Sequence, residues 1–216
     1  MAYKLSPSSL NLFVDCPRCF WLAFVSGVKR PDGIFPSLPS GMDGVLKLHF
    51  DRFMAKGELP PELASLRGYK LFDDAQQLKI WRSNFKGIAW TDESGNTIRG
   101  AIDNLLVKDN KLVVLDFKTR GFPVKEDTHE HYIDQMTIYN YLLRKNGHKT
   151  QDYAYLLFYH PRTVNENGDV VFNTDLIRLE ISIPRAEQLI KDALATLEGK
   201  MPDASKECGY CKYRGK

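Results

Sequence analysis

Two aspartates and a lysine lie close to a short turn that joins two predicted strands. The two segments are Gly100-Ala-Ile-Asp103 and Asp116-Phe-Lys118, and a two-residue hairpin loop at residues 109–110 would pair Asp103 with Asp116. Directly opposed residues have Cβ atoms about 4.5 to 5.5 Å apart, so two carboxylates there repel each other unless a cation lies between them. The pattern therefore favours a divalent cation at this point.

Strand alternation adds Lys118 to the two carboxylates, because Asp116 and Lys118 project from one face of their strand. Carboxylate oxygens suit Mg²⁺ or Mn²⁺. A bound cation lowers the pKa of water, and an ammonium group orients that water or stabilises charge on a phosphate. These are the functional groups that metal-assisted phosphodiester hydrolysis requires. The alternative is a surface hairpin whose carboxylates are solvated and in which Lys118 only pairs with Asp116. Against it, Asp116 lies inside the apolar run 112–117, where burying an ionised group costs free energy unless an opposite charge neutralises it.

The four cysteines form two Cys-x-x-Cys pairs, Cys16 with Cys19 and Cys208 with Cys211, near the two ends of the chain. In a reducing compartment this spacing indicates metal ligation before disulfides. Ligands from both ends would close a loop of nearly the whole chain and hold the terminal segments on the core. Four cysteines suit an iron-sulfur cluster or tetrahedral Zn²⁺.

Hydrophobic spacing and turn residues predict the order α, β-meander, α, β, β, α. The first helix begins near Ser6–Ser9, and Pro17 should kink or restart it. In a helix at residues 42–56, the side chains of Val45, Leu48, His49 and Phe53 are predicted to share one side. The other predicted helices are 73–84, 130–145 and 184–199, and the predicted strands are 85–90, 97–107, 112–118, 152–159 and 170–183.

The composition is that of a globular protein. The chain has 216 residues, of which 43% are hydrophobic, and its 30 Lys+Arg against 27 Asp+Glu give a net charge of +3. We expect one domain over residues 1–216, with segments 1–30 and 200–216 forming the cysteine site. No signal-peptide pattern or membrane-length apolar run is present, so we expect a cytoplasmic protein without a membrane partner.

The motifs resemble those of PD-(D/E)XK nucleases, specifically the RecB-type branch that includes the AddB nuclease domain and the iron-sulfur nucleases of CRISPR adaptation. Gly100-x-Ile-Asp103 and Asp116-Phe-Lys118-Thr119 look like the two metal-binding strands of this family. Gln135-Met-Thr-Ile-Tyr139 looks like its Q-x-x-x-Y motif on the following helix. The resemblance implies a restriction-endonuclease-like α/β core, with a central mixed β-sheet flanked by helices.

The resemblance also implies roles for individual residues. The metal-binding set is His49, Asp103, Asp116 and Phe117, Lys118 assists the attacking water, and Gln135 and Tyr139 position the site or the scissile strand. The cysteines would hold a [4Fe-4S] cluster, with Zn²⁺ as the alternative, because related nucleases commonly have one N-terminal and three C-terminal cysteines whereas this chain has two and two. His129 and His131 are expected to lie in a loop or on a DNA-facing rim.

We therefore expect a divalent-metal-dependent DNA nuclease with exonuclease or end-trimming action on single-stranded DNA or DNA ends. Local basic residues would attract the phosphate backbone: Arg99, Lys118, Arg120, Lys125, Lys206, Lys212, Arg214 and Lys216. A protein partner in CRISPR adaptation or recombinational repair is compatible with this function. One alternative is a catalytically weak nuclease-fold subunit that binds DNA or a partner. Another is a zinc-ribbon-like binding protein, which leaves the opposed acids unexplained.

Overall fold

The computed structural model describes residues 2–214, so Lys216 of the predicted basic tail lies outside the described residues. Its strands are β1 (Lys4–Leu5), β2 (Lys70–Leu71), β3 (Ile88–Thr91), β4 (Thr97–Gly100), β5 (Asn104–Lys108), β6 (Lys111–Thr119), β7 (Tyr153–Val164) and β8 (Val170–Glu180). Its α-helices are α1 (Pro7–Asp15), α2 (Pro17–Val25), α3 (Ser37–Lys56), α4 (Ala75–Trp81), α5 (Ile133–Lys145), α6 (Ile183–Glu198) and α7 (Gly209–Arg214). Short 3₁₀ turns cover Pro61–Leu63 and Thr128–Tyr132.

The N-terminal helices begin where the sequence predicts. Ser6 is the N-cap of α1, since its Oγ accepts a hydrogen bond from the Ser9 backbone at 3.2 Å. The Ser9 Oγ accepts one from the Ser6 backbone at 2.8 Å, which completes a capping box. The chain then restarts at Pro17 as α2, because proline has no N–H to continue the hydrogen-bond series of α1.

The hairpin between β5 and β6 has the predicted register. Asp109 and Asn110 both have positive φ angles, 50° and 58°, as a two-residue type I′ turn requires. Lys108 pairs with Lys111, and the pairing continues to Asn104 with Leu115. Strand β5 begins at Asn104, so Asp103 lies immediately before it.

The single strand predicted over residues 97–107 is wrong, because the chain divides there between two sheets. Strand β4 pairs with β1 and β3, whereas β5 pairs with β2 and β6. Two contacts fix the break: the Ile102 N–H donates to the Trp81 carbonyl at 3.0 Å, and the Arg82 Nε donates to the Asp103 carbonyl at 2.7 Å. These backbone groups are thus satisfied outside the sheet.

The larger sheet has the strand order β2-β5-β6-β7-β8 and is mixed, since β6 and β7 are parallel and the other pairs are antiparallel. Helix α5 connects the two parallel strands, as parallel pairing requires. Val113, Leu115 and Phe117 pack in the core below α3, whereas Leu112 and Val114 pack in the core below α5 and α6. This mixed sheet flanked by helices confirms the predicted fold class.

Helix α3 differs from its prediction in length and in orientation. It begins at Ser37 rather than near residue 42, and it buries Leu46 and Phe50. Val45 and Leu48, which the sequence analysis placed together on one side of this helix, are 62% and 61% exposed. The side that carries Val45 and Leu48 is therefore not the side on which this helix packs against the core.

Helix α6, which is predicted over residues 184–199, is amphipathic, and its buried residues are Ala186, Ile190, Ala193 and Leu197. They pack in the same core as Met136, Ile138 and Leu142 of α5. Among residues 2–214, none of the helices combines the length and hydrophobicity needed to cross a bilayer.

Candidate active site

An open cleft of about 850 Å³ lies beside the C-terminal half of β6. Asp116 and Lys118 reach it from β6, Asp103 from the chain break before β5, and Gln135 and Tyr139 from the first half of α5. The predicted catalytic residues are thus together in one cavity, which we call the carboxylate cleft.

The two aspartates are neighbours within this cleft. The Phe117 backbone N–H donates to Asp103 Oδ2 at 3.2 Å, which places the Asp103 carboxylate against the strand that carries Asp116. Asp116 is only 1% exposed. Burial, and then the charge of Asp103, raise the pKa of Asp116 to about 7, although the ammonium of Lys118 opposes this change. The negative charge of Asp103 therefore adds to burial in opposing the ionisation of Asp116.

Lys118 pairs with Asp116 Oδ2, and its Nζ lies 4.9 Å from the centre of the Tyr132 ring. Burial would lower the pKa of Lys118, but the charge and the hydrogen bond of Asp116, together with the charge of Asp103, outweigh burial and raise the pKa above its usual value. Lys118 is therefore an ammonium at neutral pH, suited to stabilise negative charge rather than to accept a proton.

Gln135 and Tyr139 form a pair on α5, and Gln135 Nε2 donates to the Tyr139 hydroxyl at 2.8 Å. They lie one helical turn apart, so both side chains face the cleft. Burial, and then the charge of Asp116, raise the pKa of Tyr139. Tyr139 therefore stays protonated, and its hydroxyl can donate a hydrogen bond to an oxygen atom in the cleft.

The structure does not bring His49 to the carboxylates. Its Nε2 lies 3.0 Å from Glu62 Oε1, and its ring packs edge-on against Phe50 and Phe53. Within residues 2–214, the four cysteines form the one group of three or more potential ligands whose atoms all lie within 4.8 Å of one another. The predicted trio of His49, Asp103 and Asp116 is therefore not assembled.

Lys47, rather than the His49 that the resemblance implies as a metal ligand, lies beside Asp103. Its Nζ lies 3.0 Å from Asp103 Oδ1 and 2.7 Å from Asp43 Oδ2. The signal in the sequence is the i, i+4 spacing of Asp43 and Lys47, which is common on helix surfaces and does not by itself indicate an active site. Whether Lys47 reaches the cleft depends on which side of α3 faces the sheet.

Arg82 is a second residue that the sequence analysis missed. Its Nε holds the Asp103 carbonyl, and its Nη1 lies 2.8 Å and 2.9 Å from the two carboxylate oxygens of Asp51. The guanidinium therefore fixes the backbone of Asp103 in the irregular segment between two sheets. No local pattern around residue 82 indicates this role.

A comparison with protein-family models gives a match over residues 61–215 to the PD-(D/E)XK nuclease superfamily. The chain belongs to the PD-(D/E)XK nuclease superfamily. The match includes all the strands of the larger sheet, the carboxylate cleft residues of β6 and α5, and the second cysteine pair. A search of curated proteins finds no match.

Members of this superfamily use divalent metals, and the residues of the carboxylate cleft fit such an ion. Asp116 Oδ2 is a buried oxygen that lies against Lys118 yet has no hydrogen-bond partner of good geometry among the described residues. Asp103 supplies a second carboxylate next to it. Phe117 is apolar and packs on Phe50, so only its backbone carbonyl offers a ligand atom. Hard oxygen donors of this kind suit Mg²⁺ or Mn²⁺.

The four cysteines come together away from the carboxylate cleft, as the sequence predicts. Cys16, Cys19 and Cys208 are buried, and Cys211 is partly exposed. Burial would raise the pKa of Cys16, but hydrogen bonds from the backbone at Cys19 and Ser205 lower it to about 6. Burial and the neighbouring thiols raise the pKa of Cys211 to about 12, so a cation is needed to hold all four as thiolates.

Gly100 provides the space for Tyr139, and its substitution by alanine should disturb the cleft. A Cβ atom at position 100 would lie 2.6 Å from Cε1 and 2.8 Å from Cδ1 of the Tyr139 ring. We expect Gly100→Ala to displace this ring, destabilise the fold by about 1 to 3 kcal/mol and reduce cleavage. Chemical denaturation and DNA cleavage assays measure the two effects.

The matched control is Gly33→Ala, because a Cβ atom at that position meets nothing within 4 Å. This control should leave both stability and cleavage near wild type. A Gly100→Ala protein with wild-type stability and cleavage would contradict the packing role of Gly100.

Proposed function

We propose that this chain is a divalent-metal-dependent deoxyribonuclease of the RecB-type branch, with exonuclease or end-trimming action on single-stranded DNA or DNA ends. The observation that carries the proposal is the convergence of Asp103, Asp116 and Lys118 in one open cleft. A structural ion pair would not require a second carboxylate beside a buried first one, since the two repel each other.

Asp103, Asp116 and the backbone carbonyl of Phe117 would hold the metal ion. When bound, Mg²⁺ or Mn²⁺ polarises the phosphate and lowers the pKa of a water molecule. Lys118 orients that water and stabilises the charge that develops on the phosphate. Gln135 and Tyr139 bind phosphate oxygens of the scissile strand through their amide and hydroxyl groups.

The cleft walls support a nucleic-acid substrate without sequence preference. Four further basic side chains line the cavity: Lys4, Lys47, Arg82 and Arg99. Contacts of this kind attract the phosphate backbone independently of sequence. Phe85 lies next to this cavity, because it follows the cleft-lining Asn84 and its carbonyl accepts a hydrogen bond from Arg99. Phe85 is 89% exposed. An exposed aromatic ring next to a basic cleft favours stacking with unpaired bases.

Cleavage of end-labelled DNA tests this proposal. The full chain is purified anaerobically and incubated with linear single-stranded, linear duplex and circular single-stranded DNA, each with Mg²⁺, Mn²⁺ or EDTA. We expect metal-dependent degradation of the linear single strand, with the circle resistant and the label revealing the polarity. Cleavage of the circle would contradict the requirement for an end. Intact DNA on every substrate, with binding retained, would favour a recognition subunit instead.

The Mg²⁺ concentration that cleavage requires should depend on pH, because burial and the charge of Asp103 raise the pKa of Asp116 to about 7. Below this pKa the metal ion must displace a proton, so binding weakens as the pH falls. We expect the Mg²⁺ concentration for half-maximal cleavage to rise by about fivefold between pH 7 and pH 6, and to change less above pH 8. Metal titrations of the cleavage rate at each pH measure it, and a constant requirement from pH 6 to pH 8 would contradict this origin.

A further inference from the structure

The distances between the four cysteine sulfurs indicate which kind of metal centre they can bind. The Sγ atoms of Cys16 and Cys211 lie 3.8 Å apart, those of Cys19 and Cys208 3.6 Å, and those of Cys19 and Cys211 3.5 Å. All four sulfurs lie within 4.8 Å of one another. The four atoms therefore form a small, closed tetrahedron.

This tetrahedron has the size of a single-ion site. A zinc–thiolate bond is about 2.3 Å long, and four such bonds in tetrahedral directions separate the sulfurs by about 3.8 Å. The three observed distances lie close to this value. The sulfurs are thus already spaced as ligands of one ion.

A [4Fe-4S] cluster, which the resemblance to iron-sulfur nucleases implies, does not fit the same sulfurs. Each thiolate of such a cluster binds a different iron, so the ligand sulfurs must be spread around the whole cluster. A tetrahedron with edges of 4.8 Å has its centre about 2.9 Å from each corner, and one metal–thiolate bond of about 2.3 Å uses most of that distance. The cavity between the sulfurs has no room for four irons and four sulfides.

The surroundings are those of a closed structural site. Three of the cysteines are at most 7% exposed. Arg30 donates from Nη2 to Cys208 Sγ at 3.4 Å and pairs with Asp15 at 2.5 Å, so a cation lies beside the negative thiolates. All four ligand positions are filled by protein, which is typical of structural rather than catalytic zinc.

We propose that Cys16, Cys19, Cys208 and Cys211 bind a single tetrahedral Zn²⁺ ion that joins α2 to α7. Cys16 and Cys211 are 195 positions apart in the chain. Because ligands this far apart in the chain meet only in the folded state, the free energy of binding the ion stabilises the packing of both terminal segments.

Metal analysis of the full chain tests this proposal without any activity assay. The protein is produced with both iron and zinc supplied, purified anaerobically, and analysed for metals by mass spectrometry and for acid-labile sulfide. We expect close to one zinc per chain, no sulfide and no visible absorption. Four irons with sulfide would overturn the single-ion site, and one iron without sulfide would overturn the choice of zinc.

Two further measurements keep the proposal testable if a variant folds poorly. Replacement of the metal by Co²⁺ in the wild-type chain should give the visible spectrum of a tetrahedral thiolate site, and an octahedral spectrum would contradict the proposed geometry. Cys211→Ser should lower the zinc content and reduce Tm by more than about 5 °C. The control is Ser26→Ala, in an exposed residue after α2. Wild-type zinc and Tm in Cys211→Ser would overturn Cys211 as a ligand.

Discussion

Asp116→Asn should abolish metal-dependent cleavage and, at the same time, stabilise the metal-free protein above neutral pH. The substitution removes a charged metal ligand while preserving the size of the side chain, so we expect a loss of roughly 10³-fold in the cleavage rate. DNA cleavage at saturating Mg²⁺ measures this effect. Retained cleavage would remove Asp116 from the mechanism.

The stability effect follows from the burial of Asp116 and its proximity to Asp103, which raise its pKa to about 7. The folded state then binds a proton that the unfolded state releases near its ordinary pKa, so stability falls as the pH rises from about 4 to about 7. Asparagine cannot ionise and avoids this loss. We expect Asp116→Asn to raise Tm by roughly 5 °C at pH 8 and to change it little at pH 4.

Exposed Asp73 supplies the matched control, because Asp73→Asn makes the same chemical change in solvent. It should leave both cleavage and Tm at pH 8 near wild type. A lower Tm at pH 8 in Asp116→Asn, measured without metal, would mean that the Lys118 ion pair outweighs the cost of burying the Asp116 charge.

The β5–β6 hairpin was predictable because local chemistry determines its register. Asp109 and Asn110 tolerate positive φ angles, and a two-residue loop leaves only one pairing for the residues on either side. The alternation of β6 then places Asp116 and Lys118 on one face. The core of the carboxylate cleft thus depends on contacts that are short in sequence.

The position of Asp103 depends on contacts that are distant in sequence. The break between β4 and β5 is fixed by Trp81 and Arg82, some 20 residues earlier, and β4 takes as its parallel partner the two-residue strand β1. A strand of two residues carries no periodic pattern. The sequence alone therefore predicts a continuous strand where the chain passes from one sheet to another.

Helix α3 explains why one predicted metal ligand is misplaced. The helix carries apolar residues on two sides, one with Val45 and Leu48 and the other with Leu46 and Phe50. Helical periodicity cannot choose between two such sides, and burial against Phe117 of β6 selects the second. This rotation directs Lys47 to the carboxylate cleft and His49 to Glu62.

Lys118→Met should also abolish cleavage, but with the opposite effect on stability. The variant lacks the ammonium that stabilises charge on the phosphate, so we expect a loss of about 10² to 10³ in the cleavage rate. Metal binding should persist, because the carboxylates of Asp103 and Asp116 remain. Calorimetric titration with Mn²⁺ at pH 8 distinguishes this variant from Asp116→Asn, in which binding is lost. Wild-type cleavage by Lys118→Met would remove Lys118 from the mechanism.

The stability of Lys118→Met should fall most at high pH, because Lys118 is the group that lowers the pKa of Asp116. In Lys118→Met, an ionised Asp116 is buried beside Asp103 with no counter-ion from β6. Removing one partner of a buried ion pair destabilises the fold by more than the intact pair stabilises it. We expect a lower Tm at pH 8 than at pH 5, with exposed Lys191→Met as the unchanged control. Added Mn²⁺ should restore part of the loss, because the ion replaces the missing positive charge. A Tm that is independent of both pH and metal would mean that the carboxylates do not depend on Lys118 for their charge balance.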